Sequence, residues 1–241
     1  MTKHNDAQGS QPAVRTVHDE HALSPMRRTI ASRLSESYRN AVHVTVSRET
    51  EVEGLVAVSD AAGDDTDVDV SLFDVVLQAV SRALAEHPAF NATFDGDRHT
   101  IYEEHNLGVA VDLEGGLVAP VIADTATRSL EEIAIERRRL TERVLTGAFT
   151  MSDLEGGTFT VTNLGVLGVD SFTPVINPPQ VAILGVNRVR ERAVSIDGEI
   201  ESRRHMNFDL SFDHRVVDGA DAARFLATFV EVVNQPVGRH D

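Results

Sequence analysis

Apolar residues recur every three to four positions at Met26, Ile30, Leu34 and Tyr38, which predicts an amphipathic opening helix through RRTIASRLSESYRN. Ser24 and Pro25 supply its N-cap and first-turn proline. The period falls to two between His43 and Glu51, predicting a strand. A short helix follows from Val52 to Ala62, and GDDTDVD then reads as a charged loop. Ser71 to Glu86, SLFDVVLQAVSRALAE, predicts a long helix stopped at His87-Pro88.

The middle of the chain alternates β-prone runs with glycine turns. Asp95-Gly96 within NATFDGDRHTIY and Gly115-Gly116 within NLGVAVDLEGGLVAPVI each predict a hairpin. Ser129 followed by Glu132 is a capping box opening the helix SLEEIAIERRRLTERVLTG, which Gly147 closes. Further strands are expected in GGTFTVTNLG, VAILGVNRV and RAVSIDGEIESRR. HMNFDLSFDH alternates strictly, with Met206, Phe208, Leu210 and Phe212 on one face, and a last helix runs from Ala220 to Val233. No internal repeat interrupts this order. It predicts a single α+β domain over 23–241, behind a polar stretch, 1–22, with the composition of a disordered tail or linker remnant.

Composition narrows the function classes. The 22 Lys plus Arg against 38 Asp plus Glu give a net charge of −16, which excludes a basic nucleic-acid binder. No apolar run reaches the roughly 20 residues that span a bilayer, and the first residues hold no signal-like stretch, so a cytoplasmic protein is expected. The absence of cysteine removes disulfides and thiolate chemistry. Lys3 is the only lysine, and this arginine bias beside such an acid excess suggests a salt-rich cytoplasm, with biased codon usage as the alternative.

Strand parity places His214 on the same inward face as Phe212, at a strand-to-helix turn that could hold a neutral base rigidly. A buried structural histidine beside an Arg215–Asp218 ion pair is the alternative. The other histidines show no zinc-ligand spacing, and no metal site is expected.

Asp213 to Gly219, DHRVVDG, matches the DHRxxDG signature of the 2-oxoacid dehydrogenase complex acyltransferases. MRRTIASRLSES, NATFDG, NLGVAVDLEGGLVAPVI, GGTFTVTNLG and INPPQVAILG resemble that family's other blocks in the same order. The resemblance implies a chloramphenicol acetyltransferase-like α+β fold of two layers, a mixed sheet with flanking helices, assembled as trimers or a multiple of three. It implies His214 as general base, Thr162 as oxyanion donor and Asp218 as the residue that keeps the histidine loop in shape. It further implies coenzyme A contacts at Ser71, Asp112 and Asn163, for which an N-cap, a turn acceptor and a turn residue are the plainer readings. The implied activity moves an acyl group between dihydrolipoamide and coenzyme A, with decarboxylase and dihydrolipoamide dehydrogenase subunits as possible partners.

The sequence departs from the family pattern in lacking a lipoyl-lysine context around Lys3. The expectation is either an excised catalytic domain or a protein whose lipoyl group arrives on a separate carrier. A basic residue that some members place late in the first short helix is also missing, Val58-Ser59 standing there. Two rival functions stay open: acyl-CoA-dependent transfer to a small alcohol or amine, and a non-catalytic scaffold. Asp213-His214-Arg215 favours the dehydrogenase-complex branch over the first, and the trio Thr162, His214 and Asp218 argues against the second.

Overall fold

Side chains that occupy free backbone N–H groups set where three of the helices begin. In the computed structural model, which describes residues 15–65 and 68–234, Ser24 Oγ accepts from Arg27 N–H at 3.1 Å and opens α1 (Pro25–Asn40). Helix α2 (Glu53–Asp65) runs three residues beyond its expected end, into the stretch read as a charged loop. Reciprocal capping boxes, Ser71 with Asp74 and Ser129 with Glu132, open α3 (Leu72–Glu86) and α4 (Leu130–Leu145). Helix α5 (Gly219–Asn234) follows the DHRVVDG turn. Residues 15–24 carry no helix or strand and are exposed, whereas the rest of the expected tail, 1–14, lies outside the described residues. Among the described residues no helix is long and apolar enough to cross a membrane.

The strands are β1 (His43–Glu51), β2 (Ala92–Phe94), β3 (His99–Ile101), β4 (Leu107–Val109), β5 (Val111–Leu113), β6 (Gly116–Val118), β7 (Val121–Ile122), β8 (Phe159–Asn163), β9 (Ala182–Val186), β10 (Arg190–Ile196) and β11 (Glu199–Asp213). Both expected hairpins form, β2 with β3 and β5 with β6; Gly115 sits at φ 101°, which a side chain would resist. The main sheet runs β1-β11-β9-β8-β4-β7, with β10 paired to the outer half of β11. It is mixed: β8 lies parallel to β4 and β9, and the other pairs are antiparallel.

One face of this sheet is apolar and carries the core. Phe208 meets Phe229 of α5 at 4.8 Å, while Phe225 of the same helix packs on Phe159 and on Phe90. Helices α3 and α5 lie together over this layer. The opposite face is built from hydroxyls and acids. Asp209, Ser211 and Asp213, the polar half of the β11 alternation, are buried rather than solvated, because the segment 169–181 crosses over them. Thr45 bonds Ser211 at 2.7 Å across β1 and β11, and Thr160 donates to Gln180 within the same covered face.

Helix α1 departs from expectation in which side it buries. Its apolar stripe is largely exposed at Met26, Leu34 and Tyr38, whereas Ser37 is buried and donates to the Ile176 carbonyl at 2.6 Å. The helix rests on β6 and on residues 176–178 through Ser37, Arg33 and Ile30, so its hydrophobic period finds little of this chain to cover it.

Candidate active site

Strand β11 ends at Asp213, and the chain turns at once. Val216 N–H and Val217 N–H both donate to the Asp213 carbonyl, at 3.0 and 3.2 Å. This turn cancels the inward parity expected of His214: its side chain is 40% exposed. The backbone N–H of His214 is held by the Val42 carbonyl at 2.9 Å, and its ring lies 5.7 Å from that of Phe212. His214 therefore stands at the rim of the sheet on a fixed backbone with its imidazole accessible.

What fixes that backbone is Asp213. Arg215 closes a fork on its carboxylate through Nε and Nη2, at 3.0 and 2.6 Å, while the N–H groups of Arg215 and Val42 donate to Oδ1. Burial pushes the Asp213 carboxyl up, but these hydrogen bonds and the Arg215 charge outweigh it and hold the carboxyl below its ordinary range. Arg215 also lies 4.9 Å over the Phe94 ring, tying the turn to the β2–β3 hairpin. The alternative pairing of Arg215 with Asp218 does not form. Asp218 is 79% exposed, its Oδ1 lies 3.7 Å from His214 Nδ1, beyond hydrogen-bond length, and its carbonyl starts α5. In one chain, Asp213 and Arg215 hold the histidine loop, the part expected of Asp218.

Thr162 lies near the end of β8, buried, with no partner for its hydroxyl among the described residues. Asn163 follows, and its Oδ1 accepts from Gly165 N–H at 2.8 Å, the turn geometry that was its plainer reading. Gly165 presses against the Asn187 carbonyl so closely that no side chain fits there.

The remaining expected residues lie elsewhere. Ser71 caps α3: its hydroxyl donates to Asp74 at 2.6 Å, and the fully buried Asp74 carboxylate is gripped by Arg137 of α4. Asp112 is exposed on β5, and its carboxylate has no partner among the described residues; it is not a turn acceptor. Neither Ser71 nor Asp112 hydrogen-bonds Asn163. Among the described residues no three His, Asp or Glu side chains form a metal-ligand group.

Sheet register fixes the distance between the two central groups. Thr162 pairs with Gly185 and Gly185 with Asp209, so these three share one row. His214 lies five residues beyond Asp209 along β11, which places it about 17 Å along the strand direction and two strands across, roughly 19 Å from Thr162 in backbone terms. The structure joins Thr162 with Asn163, and His214 with Asp213 and Asp218, at opposite ends of the same sheet.

Sequence reasoning passed over Asp209 and Arg137. Asp209 sits on the polar side of an alternating strand, a position that ordinarily reads as solvent-facing. Arg137 lies 63 residues from the aspartate it grips, and nothing local signals the pairing.

Residues 16–239 match the family described as 2-oxoacid dehydrogenases acyltransferase (catalytic domain). Over 226 residues the chain is 34% identical to the dihydrolipoyllysine-residue acetyltransferase component of the pyruvate dehydrogenase complex of Zymomonas mobilis, covering 92% of this chain and 51% of that protein. Over 235 residues it is 35% identical to the dihydrolipoyllysine-residue succinyltransferase component of the 2-oxoglutarate dehydrogenase complex of Rickettsia felis, covering 94% and 59%. The chain thus spans about half the length of the curated relatives it matches. A probable dihydrolipoamide acetyltransferase from Listeria monocytogenes superposes with TM-score 0.85 at 32% identity, over 92% of this chain and 97% of that one. The cubic core of a pyruvate dehydrogenase multienzyme complex does so with TM-score 0.84 at 30% identity and the same coverage. Chloramphenicol acetyltransferase, 17% identical with TM-score 0.57 over 84% of this chain and 94% of its own, shares the fold.

Proposed function

This chain belongs to the 2-oxoacid dehydrogenase acyltransferase family as a catalytic domain, and from that premise we propose that it moves an acyl group between S-acyl-dihydrolipoamide and coenzyme A. The lipoyl group comes on a carrier domain, and decarboxylase and dihydrolipoamide dehydrogenase subunits act before and after the transfer. The observation that carries this reading is a pair of available groups in the matching motifs: an accessible imidazole on a rigid turn at His214 and, at Thr162, a hydroxyl donor with no partner among the described residues.

The chemistry follows from these groups. A thiol with pKa of about 8.5 attacks well only as thiolate, and an imidazole within reach can take its proton as the S–C bond forms. The thioester carbonyl oxygen gains negative charge, which the Thr162 O–H stabilises by roughly 3 kcal/mol. When the tetrahedral centre collapses, the departing sulfur takes the proton back from His214. Asp213 and Arg215 keep the base in place. Asp112, exposed and unpaired among the described residues, and Asn163 are available to coenzyme A; the Ser71 hydroxyl serves its own helix cap first.

The site is shared between copies of the chain in a trimer or a multiple of three. Two features support this: the roughly 19 Å between Thr162 and His214 within one chain, and the exposed apolar stripe of α1. The relatives named for acetyl and for succinyl transfer leave both acyl groups as substrates to compare.

The test is transfer from acetyl-CoA and succinyl-CoA to dihydrolipoamide, followed by formation of the S-acyl-dihydrolipoamide product, because one acceptor thiol is consumed for each coenzyme A thiol released. Turnover with at least one acyl-CoA, reduced by roughly 10² or more in a folded His214→Ala variant, is expected. Full turnover in that variant, or none in the folded wild type, defeats the reading.

A further inference from the structure

Asp209 is fully buried, and no arginine, lysine or histidine pairs with it among the described residues. Its carboxylate is held by five neutral donors. Ser47 of β1 donates to Oδ1, Asn207 Nδ2 to Oδ1 at 3.0 Å, Ser171 Oγ to both oxygens at 3.1 Å, Phe172 N–H to Oδ2 at 3.0 Å, and Asn187 Nδ2 to Oδ2 at 2.7 Å. A buried carboxylate without a cation is costly unless its donors are well placed, so this arrangement is an expensive way to stabilise a sheet. Asn187 pays part of that cost: its amide turns Nδ2 toward Asp209 and leaves Oδ1 buried with no partner among the described residues.

Two of the donors, Ser171 and Phe172, lie on the loop that leaves Thr162, and Asn187 follows β9, the strand beside it. Asp209, Gly185 and Thr162 occupy one row of the sheet and share its polar face, with about 10 Å between the first and last. Gly185 leaves room between them that the Phe172 ring fills; a methyl at Gly185 would meet Phe172 Cζ at 2.8 Å. The loop that leaves Thr162, residues 164–172, is therefore pinned twice by one carboxylate. At its far end Asp209 takes the Ser171 hydroxyl and the Phe172 N–H. At its near end Asp209 holds the Asn187 side-chain amide, and the backbone carbonyl of the same residue packs on Gly165, whose N–H donates to Asn163.

We propose that Asp209 is a positioning residue for the Thr162 hydroxyl, acting through the two ends of the 164–172 loop. The proposal rests on Thr162 as the oxyanion donor. An amide at position 209 keeps the shape but supplies one acceptor oxygen and turns an NH2 group onto donors that need acceptors, so the loop loses at least one anchor while the core beneath is untouched.

The experiment compares Asp209→Asn, Ser171→Ala, Ser47→Ala, Thr162→Ala and the double variant Asp209→Asn/Thr162→Ala in the full chain, with acyl transfer and thermal midpoint measured for each. Asp209→Asn is expected to lower kcat roughly 10- to 100-fold with the KM for coenzyme A within about twofold. Ser171→Ala and Ser47→Ala each remove one hydroxyl from the same carboxylate, yet only the loop-side change is expected to lower kcat, by roughly threefold or more. The double variant is expected to match Thr162→Ala, because the two residues act as one unit. Equal kcat losses in the two serine variants, an unaltered kcat in Asp209→Asn, or multiplied losses in the double variant overturn the proposal. If Asp209→Asn does not fold, the serine pair decides alone. Full kcat in Thr162→Ala instead defeats the oxyanion assignment itself, an outcome recognisable without any change at Asp209.

Discussion

The guanidinium of Arg215 folds back onto the carboxylate of Asp213, two residues earlier, and the histidine between them is thereby carried on a closed clasp. A lysine cannot form that fork or lie flat on Phe94. Arg215→Lys is therefore expected to lower kcat about tenfold, since small displacements of a catalytic group cost that much or more, with a thermal midpoint nearly unchanged. Steady-state kinetics beside a thermal scan check this. An unaltered kcat would show that the Val42 backbone bonds suffice to hold the turn.

The clasp also has a sign in pH. A carboxyl held below its ordinary range stabilises the fold above about pH 4, and that contribution is lost as pH falls through its lowered pKa. The clasp is thus intact throughout the neutral range. Asp213→Asn, which cannot close the same charged fork with Arg215, should lower kcat throughout pH 6 to 8. A kcat equal to the wild type's across that range, measured by steady-state kinetics, counts against the clasp.

His105 gives a second, separable pH effect. It is buried, with Nδ1 2.8 Å from Ser81 Oγ, and burial pushes its pKa down while nearby Asp124 opposes the shift. The unfolded chain then binds a proton that the folded one refuses. Stability from this site is complete above about pH 6.5 and is lost as pH falls through the lowered pKa. Carboxylates act lower: Glu53, hydrogen-bonded by Arg204, is held down to about 2. His105→Asn, which can keep a bond to Ser81, should shrink the difference in thermal midpoint between pH 7.5 and 5.5. An undiminished difference would assign that acid sensitivity to other groups.

The sequence carried those features that depend on neighbours in the chain. The capping serines 24, 71 and 129 stand where their helices begin, β1 keeps its expected ends, and both glycine hairpins form, because each needs only a few adjacent residues. Features set by distant segments were illegible. Asp209 and Ser211 have the periodicity of solvated positions, and only the crossing of residues 169–181 buries them. His214 followed strand parity on paper, but a strand's end is a hydrogen-bonding event, and Val216 and Val217 close the turn on Asp213. At the site, the family motifs named the groups but not their distance. That distance is a property of sheet register, which no single strand reveals.

The acid excess makes a prediction about salt. At a net charge of −16 the folded surface repels itself, and 1 M salt shortens the screening length to about 3 Å. Salt also weakens exposed ion pairs such as Arg188–Asp170, but such pairs contribute little to stability. Thermal midpoint and activity should both rise from low salt toward molar KCl. A flat or falling profile would reduce the arginine bias to composition alone.

The separation of Thr162 from His214 leads to a test of the shared site. Two strands apart and five residues along, the two groups cannot reach one thioester within a single chain, so the proposed reaction requires them from different copies. A His214→Ala chain and a Thr162→Ala chain should each be nearly inactive. Unfolded together in equal amounts and reassembled at random, they would form mixed trimers in three-quarters of cases, and in each mixed trimer one interface of three unites an intact His214 with an intact Thr162. Recovery of about a quarter of wild-type turnover is then expected, with sedimentation at three chains or a multiple of three. A site contained in one chain predicts no recovery, since every chain in the mixture lacks one of its groups. Parent-level activity from reassembled mixtures shown to contain both chains would therefore overturn the shared site, and so would an active monomer.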